Sequence, residues 1–185
     1  MRQSRFNMQK MERGVRLLLE GMGVDADDAD FRNTPRRVAK LYKEILSPRP
    51  QNSTVAFPSV YGGMIVLRHH LVHTVCPHHL LPVEMEVSVG YIPGAKTIGL
   101  SKLARIAESV LTKPMKQEEF TDMVAYRLHQ IADPKGSGVY VVGRHGCMRH
   151  RGVHTRGDVV TTTVRGAFLL NQATRNEFLE LVRER

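Results

Sequence analysis

Residues 83–91 read Val83-Glu84-Met85-Glu86-Val87-Ser88-Val89-Gly90-Tyr91, apolar and polar in strict alternation. Successive side chains of a strand point to opposite faces, so this pattern buries one face and wets the other, as an antiparallel sheet does. A strand over 64–75, rich in β-branched residues, leads towards it, and its His69, His70 and His73 read as surface or satisfied core histidines. Pro93-Gly94 makes a turn, and Thr97-Ile98 restarts a short strand. Two more strands are predicted over 139–142 and 159–164, the latter with the run Thr161-Thr162-Thr163.

Helices separate and flank these strands. Met8, Met11, Val15, Leu18 and Leu19 recur at helical spacing over 8–22. A second helix starts with Thr34 as N-cap and Pro35 at the first helical position, and the spacing predicts a buried stripe of Val38, Leu41, Tyr42 and Ile45. Residues 47–60 contain three prolines and read as a loop. Gly99-Leu100-Ser101-Lys102 opens a helix with Leu103, Ile106, Ala107, Val110 and Leu111 on one side. Another follows Pro114, with Phe120, Val124, Leu128 and Ile131 inward, and a last one, capped near Thr174, carries Phe178 and Leu181. The fold class is α+β, helices laid on an antiparallel sheet.

A chain of 185 residues with 42% hydrophobic residues has material for one domain with an appended arm. We expect a helical region over 1–48 and a catalytic domain over 49–185. No stretch resembles a secretion signal or a membrane span, so a cytoplasmic protein without a membrane partner is expected. The formal charge of +9 and pI near 9.9 call for an anionic partner.

The chemistry gathers in two short clusters, Cys76-Pro77-His78-His79 and His145-Gly146-Cys147. They hold both cysteines of the chain and three of its nine histidines. Two cysteines can pair as a disulfide, but without a secretion signal a metal or catalytic role is the better reading. Thiolate and imidazole donors select a borderline-soft metal such as zinc. Four ligands would close a structural site, whereas three would leave a position for water. The surroundings favour catalysis on a phosphorylated substrate. Arg144, Arg149, Arg151, Arg156 and Arg165 stand against the single acid Asp158 in 144–165, and guanidinium forks suit phosphate. Ser101 and Lys102 sit at a helix start, where free amides favour an anion, and Arg105 lies one turn on. Arg36, Arg37 and Lys40 crowd the start of the second helix, where cations oppose the dipole unless an anion meets them.

These residues fall in motifs that resemble the GTP cyclohydrolase I family. The likeness rests on Cys76-Pro77-His78-His79-Leu80-Leu81-Pro82, Tyr91-Ile92-Pro93, the segment from Ile98 to Ile106, Gln117-Glu118, His145-Gly146-Cys147 and Arg151-Gly152. Flanking runs from Thr34 to Lys40 and from Thr174 to Leu179 extend it. The resemblance implies hydrolysis of GTP to 7,8-dihydroneopterin triphosphate, with guanine C8 leaving as formate. It implies Zn2+ on Cys76, His79 and Cys147 with the fourth position open for water, and His78 and His145 as free catalytic histidines. Glu118, with Gln117, would read guanine. Ser101, Lys102, Arg105 and Arg151 would grip the triphosphate, joined by Arg37 and Lys40. It further implies the tunnelling (T-) fold, its sheet carrying helices on one face and closed between subunits into a barrel. The expected assembly is a decamer of two pentamers with sites between subunits, and no nucleic acid is needed to explain the basic charge. Pro77 departs from the glutamate usual there, removing a backbone donor, and the N-terminal helical region is short for the family. The alternatives are a T-fold relative acting on another pterin or a deazaguanine, and, more distantly, a zinc-stabilised nucleic-acid-binding module using 144–165.

Overall fold

The structure is a computed structural model that describes residues 6–47 and 56–184. The chain divides into two compact units, Met1–Ser47 and Pro48–Arg185. The first pairs α1 (Met8–Gly21) with α2 (Thr34–Ile45). Asn7 caps α1 by accepting the Lys10 amide at 2.9 Å. The start of α2 differs from expectation. Asn33 holds the N-cap position and Thr34 is already helical, because the Thr34 amide is satisfied by the Phe31 carbonyl at 2.8 Å and the turn runs straight into the helix. Of the predicted stripe, Val38, Tyr42 and Ile45 are partly buried and Leu41 is 46% exposed, while Pro35 and Ala39 are the fully buried residues of α2.

The second unit is built on a four-stranded antiparallel sheet in the order β2-β3-β5-β6. Its strands are β2 (Ile65–Val75), β3 (Pro82–Ile92), β5 (Gly136–His145) and β6 (Val159–Gly166). β1 (Ala56–Pro58) pairs with β4 (Lys96–Ile98), so the predicted loop gives way to a short strand at Ala56, while residues 48–55 lie outside the described residues. The Tyr91 hydroxyl anchors this small ribbon, 2.9 Å from Thr97 Oγ1 and accepting the Ile98 amide at 3.2 Å.

The alternating stretch behaves as its pattern requires. Val83, Met85, Val87, Val89 and Tyr91 are all buried beneath α3 (Leu100–Ser109) and α4 (Gln117–Ala132), with Leu103, Ile106, Phe120, Val124 and Leu128 in the same core. α4 begins at Gln117, two residues later than Pro114 suggests, and β5 is far longer than its four-residue apolar signal because both its faces are partly covered. Two short helices, α5 (Gly146–Arg149) and α6 (Ala167–Leu170), went unpredicted. The closing helix α7 (Gln172–Arg183) is capped by Asn171, whose side chain accepts the Thr174 amide at 3.1 Å.

Helices occupy both faces of the sheet, a correction to the one-sided expectation. Gly90 and Gly138 are register partners that share the face opposite the main core. A Cβ at residue 90 or 138 would stand 2.8 or 2.6 Å from the Phe178 ring. The two glycines therefore open a slot into which α7 lays Phe178, edge-on to Phe168 at 5.3 Å. Two adjacent missing side chains turn a wet face into a second core. Two histidines of β2 lie beside carboxylates, and His73 is exposed. His69 sits in a bulge at φ 53° with Nδ1 2.7 Å from Glu86, and His70 Nε2 lies 3.3 Å from Glu108. No helix among the described residues is long and apolar enough to cross a membrane.

His129 gives the fold a dependence on pH. Its Nε2 lies 2.8 Å from the fully buried Ser137 hydroxyl. Burial, then the charge of Arg165, pushes its imidazole below the ordinary value near 6.5, against a weaker upward pull from Asp133. A histidine whose folded pKa is depressed is less protonated in the folded than in the unfolded chain, so stability is full above about 6.5 and is lost as pH falls through the folded value. The thermal midpoint is expected to drop between pH 7.5 and 5.5. In His129→Gln that drop shrinks, and an unchanged slope would overturn the assignment.

Candidate metal centre

Strand pairing brings the two clusters together. β3 and β5 run antiparallel with Val83 opposite His145. The loop that enters β3 therefore lies at the end where β5 passes into α5, although the clusters are about seventy residues apart in sequence. Gly146 permits the approach, since a Cβ there would stand 2.9 Å from the Pro82 carbonyl oxygen. The loop itself is closed by two backbone bonds, Cys76 N–H to Leu81 O and Leu80 N–H to Cys76 O, both 2.9 Å, with Leu80 left-handed at φ 55°. Neither bond uses residue 77. The two bonds that close the loop therefore do not call on the donor that proline removes.

Cys76, His79 and Cys147 place one ligand atom each within 4.8 Å of one another. Cys76 Sγ and His79 Nδ1 are 3.7 Å apart. Metal–sulfur and metal–nitrogen bonds of about 2.3 and 2.0–2.1 Å at a tetrahedral angle separate the two donors by about 3.6 Å. Donor chemistry and spacing therefore both fit a metal ion. Both cysteines are free thiols, so the disulfide alternative is not realised. Burial pushes the Cys147 thiol up, the neighbouring Cys76 adds to this, and Arg151 pulls it down. Two close thiols resist ionising together, and a cation between them inverts that preference.

Arg151 reaches the same cluster, its guanidinium 2.7 Å from His79 Nε2. His78 stands exposed beside His79, the rings 6.4 Å apart and nearly perpendicular. His145 is half-buried at the end of β5. Burial pushes its imidazole down and the Glu118 carboxylate partly restores it, which puts Glu118 within electrostatic reach. Glu118 lies exposed in the first turn of α4. Gln117, expected to share its task, turns the other way. It is 2% exposed, and its carboxamide is engaged with Val141, Val159, Thr161 and His145.

Ser101, Lys102 and Arg105 form a separate group on α3, with Lys102 only 6% exposed. Arg37 and Lys40 are exposed on α2, in the other unit. The basic segment is less free than its composition implies. Arg144 bonds Glu84 at 2.7 Å and faces Asp158 at 3.6 Å, Arg149 meets Asp158 at 3.2 Å, and Arg165 meets Asp122 at 2.5 Å. Three of the five arginines thus have acidic partners, two of which, Glu84 and Asp122, stand outside the segment. Sequence reasoning missed the support around His145: Gly143, Thr121 and Thr161. The Thr161 run reads only as strand composition, and a glycine two residues before His145 is its one available signal.

Two thiols and an imidazole drawn together beside a further exposed histidine define a protein with a cluster that could hold a metal ion. The sequence pattern of GTP cyclohydrolase I matches residues 11–183. A GTP cyclohydrolase 1 of Aquifex aeolicus (strain VF5) is 38% identical over 182 residues, 96% of this chain and 98% of the relative. One from Bacillus subtilis (strain 168) is 37% identical over 183 residues, 96% of each. A crystal structure of the archaeosine synthase QueF-Like in the apo form aligns at 18% identity and TM-score 0.42, covering 57% of this chain and 95% of that one. The chain belongs to the GTP cyclohydrolase I family.

Proposed function

We propose that the protein is a zinc-dependent GTP cyclohydrolase I, hydrolysing GTP to 7,8-dihydroneopterin triphosphate and formate. Family membership over nearly the whole chain supports the activity. The observation that carries the site is the convergence of Cys76, His79 and Cys147 within 4.8 Å. These three would hold zinc through two thiolates and one imidazole. Held there, zinc would supply Lewis-acid activation of water near neutral pH. The rest is work for the chain's own side chains. His78 and His145 pass protons as the imidazole ring opens and the ribose rearranges, a task suited to a group whose ordinary pKa lies near working pH. Glu118 accepts the ring N–H and the amino group of guanine, a donor pair that adenine does not present. Arg151, which already sits at the cluster, with Ser101, Lys102, Arg105, Arg37 and Lys40, holds the triphosphate.

Those phosphate residues are divided among the cluster, α3 and α2, and among the described residues β2 and β6 end the sheet as unpaired edges. Both features are met by a T-fold homo-oligomer, a decamer of two pentamers acting in the cytoplasm, whose sheets join into a barrel and whose sites form between subunits. In that arrangement 1–48 is a helical arm and 49–185 the catalytic domain. The test is to incubate zinc-loaded protein with GTP and to measure formate, pteridine fluorescence and bound metal in one sample. Both products are expected, and their absence with zinc in place would overturn the reading.

A further inference from the structure

We infer that Gln117 is a positioning residue for His145, holding its ring and fixing the proton on Nε2 so that Nδ1 is the atom that exchanges protons with substrate. The inference rests on the function proposed above. Gln117 lies at the first position of α4 with its side chain driven inward. Its Nε2 donates towards Val159 O at 2.9 Å, Thr161 Oγ1 at 3.1 Å and Val141 O at 3.3 Å. All three are acceptors or can serve as acceptors, and two are backbone carbonyls that can do nothing else. The amide nitrogen must therefore face them, which leaves Oε1 facing His145 Nε2 at 2.8 Å. An amide oxygen only accepts. His145 Nε2 must then carry the hydrogen, and in the neutral ring Nδ1 holds the lone pair. The shuttle balances simply: Nδ1 takes a proton from water or substrate, Nε2–H stays on Oε1, and Nδ1 later returns the proton to the opened ring.

The surroundings are shaped for this one contact. Thr121 Oγ1 donates to the backbone carbonyl of Gln117 at 2.8 Å and lies 2.7 Å from Thr161 Oγ1, so α4 steadies the residue and its Thr161 partner while β5 and β6 hold the carboxamide itself. A Cβ at residue 143 would stand 1.9 Å from Gln117 Oε1 and 3.1 Å from His145 Nε2. Gly143 is the gap through which the amide reaches the imidazole. A residue devoted to reading guanine would instead expose its amide, as Glu118 exposes its carboxylate.

The test uses the zinc-loaded protein with 15N-labelled histidine, the His145 signals being identified by their loss in His145→Asn. The wild type is expected to show the hydrogen on Nε2; a hydrogen on Nδ1 overturns the inference whatever the activity. Gly143→Ala keeps Gln117 but must push its flexible end aside, a shift that the fold can absorb. It is expected to lower kcat by about tenfold or more, within the 10²–10⁴ that a general acid–base contributes, and to mix the two tautomers. KM for GTP and zinc content stay within about twofold, since neither ligands nor base contacts are touched. Gln117→Met should do the same with the carboxamide gone. A raised KM with unchanged kcat in both variants would instead make Gln117 a base reader and overturn the inference. Wild-type protein that shows the Nε2 hydrogen but makes no formate fails the proposed function while leaving the His145–Gln117 geometry intact.

Discussion

Replacing Cys147 by serine is expected to remove metal and activity together, with metal affinity falling by more than about 100-fold, beyond the 10–100-fold typical of losing a residue that merely supports a ligand. Serine conserves size and shape, so packing at the start of α5 changes little. Its hydroxyl does not ionise near neutral pH, and a hard oxygen replaces the soft thiolate that selects zinc. Cys76 and His79 then remain as two donors from one loop, too few to hold an ion against water. Metal analysis after gel filtration and the formate assay, on the same sample, decide the matter. Full metal and activity in Cys147→Ser would show that the ligand assignment is wrong.

Glu118→Ala separates recognition from metal binding. Glu118 stands on the exposed first turn of α4, where the helix dipole and free amides favour a carboxylate, and it contributes no donor to the Cys76–His79–Cys147 cluster. Removing it should leave zinc content and folding untouched. Two hydrogen bonds from guanine to a charged acceptor contribute about 1.5–3 kcal/mol each, so kcat/KM for GTP is expected to fall by about 10²–10⁴. A loss below about threefold would mean that the base is read elsewhere. The contrast with Gly143→Ala is diagnostic: both variants keep the metal, one loses the base and the other the orientation of a proton carrier.

Much of the fold was legible in local pattern. The alternation of 83–91 specified a half-buried strand, and helical spacing placed the core residues of α3 and α4. What the pattern misplaced has physical causes. Leu41 is apolar yet exposed because Pro35 and Ala39 present the face of α2 that is buried in this chain. The second core escaped notice because glycines create it: Gly90 and Gly138 carry no hydrophobic signal, yet their missing side chains admit Phe178. The arginines of 144–165 suggested a field of phosphate donors, and the structure pairs Arg144, Arg149 and Arg165 with carboxylates. That pairing also weakens the case for a nucleic-acid surface, which needs cations free to replace counterions.

The sequence by itself determined the donor inventory, because thiols, imidazoles and carboxylates carry their chemistry wherever the chain puts them. It also determined the strand on which the sheet is built, since a period of two is a local property. Only the tertiary structure decided which donors meet, as the register that sets Val83 against His145 is a long-range pairing that no local spacing encodes. The same holds for Gln117. Beside Glu118 in sequence, it reads as a partner in recognition. Adjacent positions on a helix point about 100° apart, so one side chain faces solvent while the other enters the sheet and takes hold of His145.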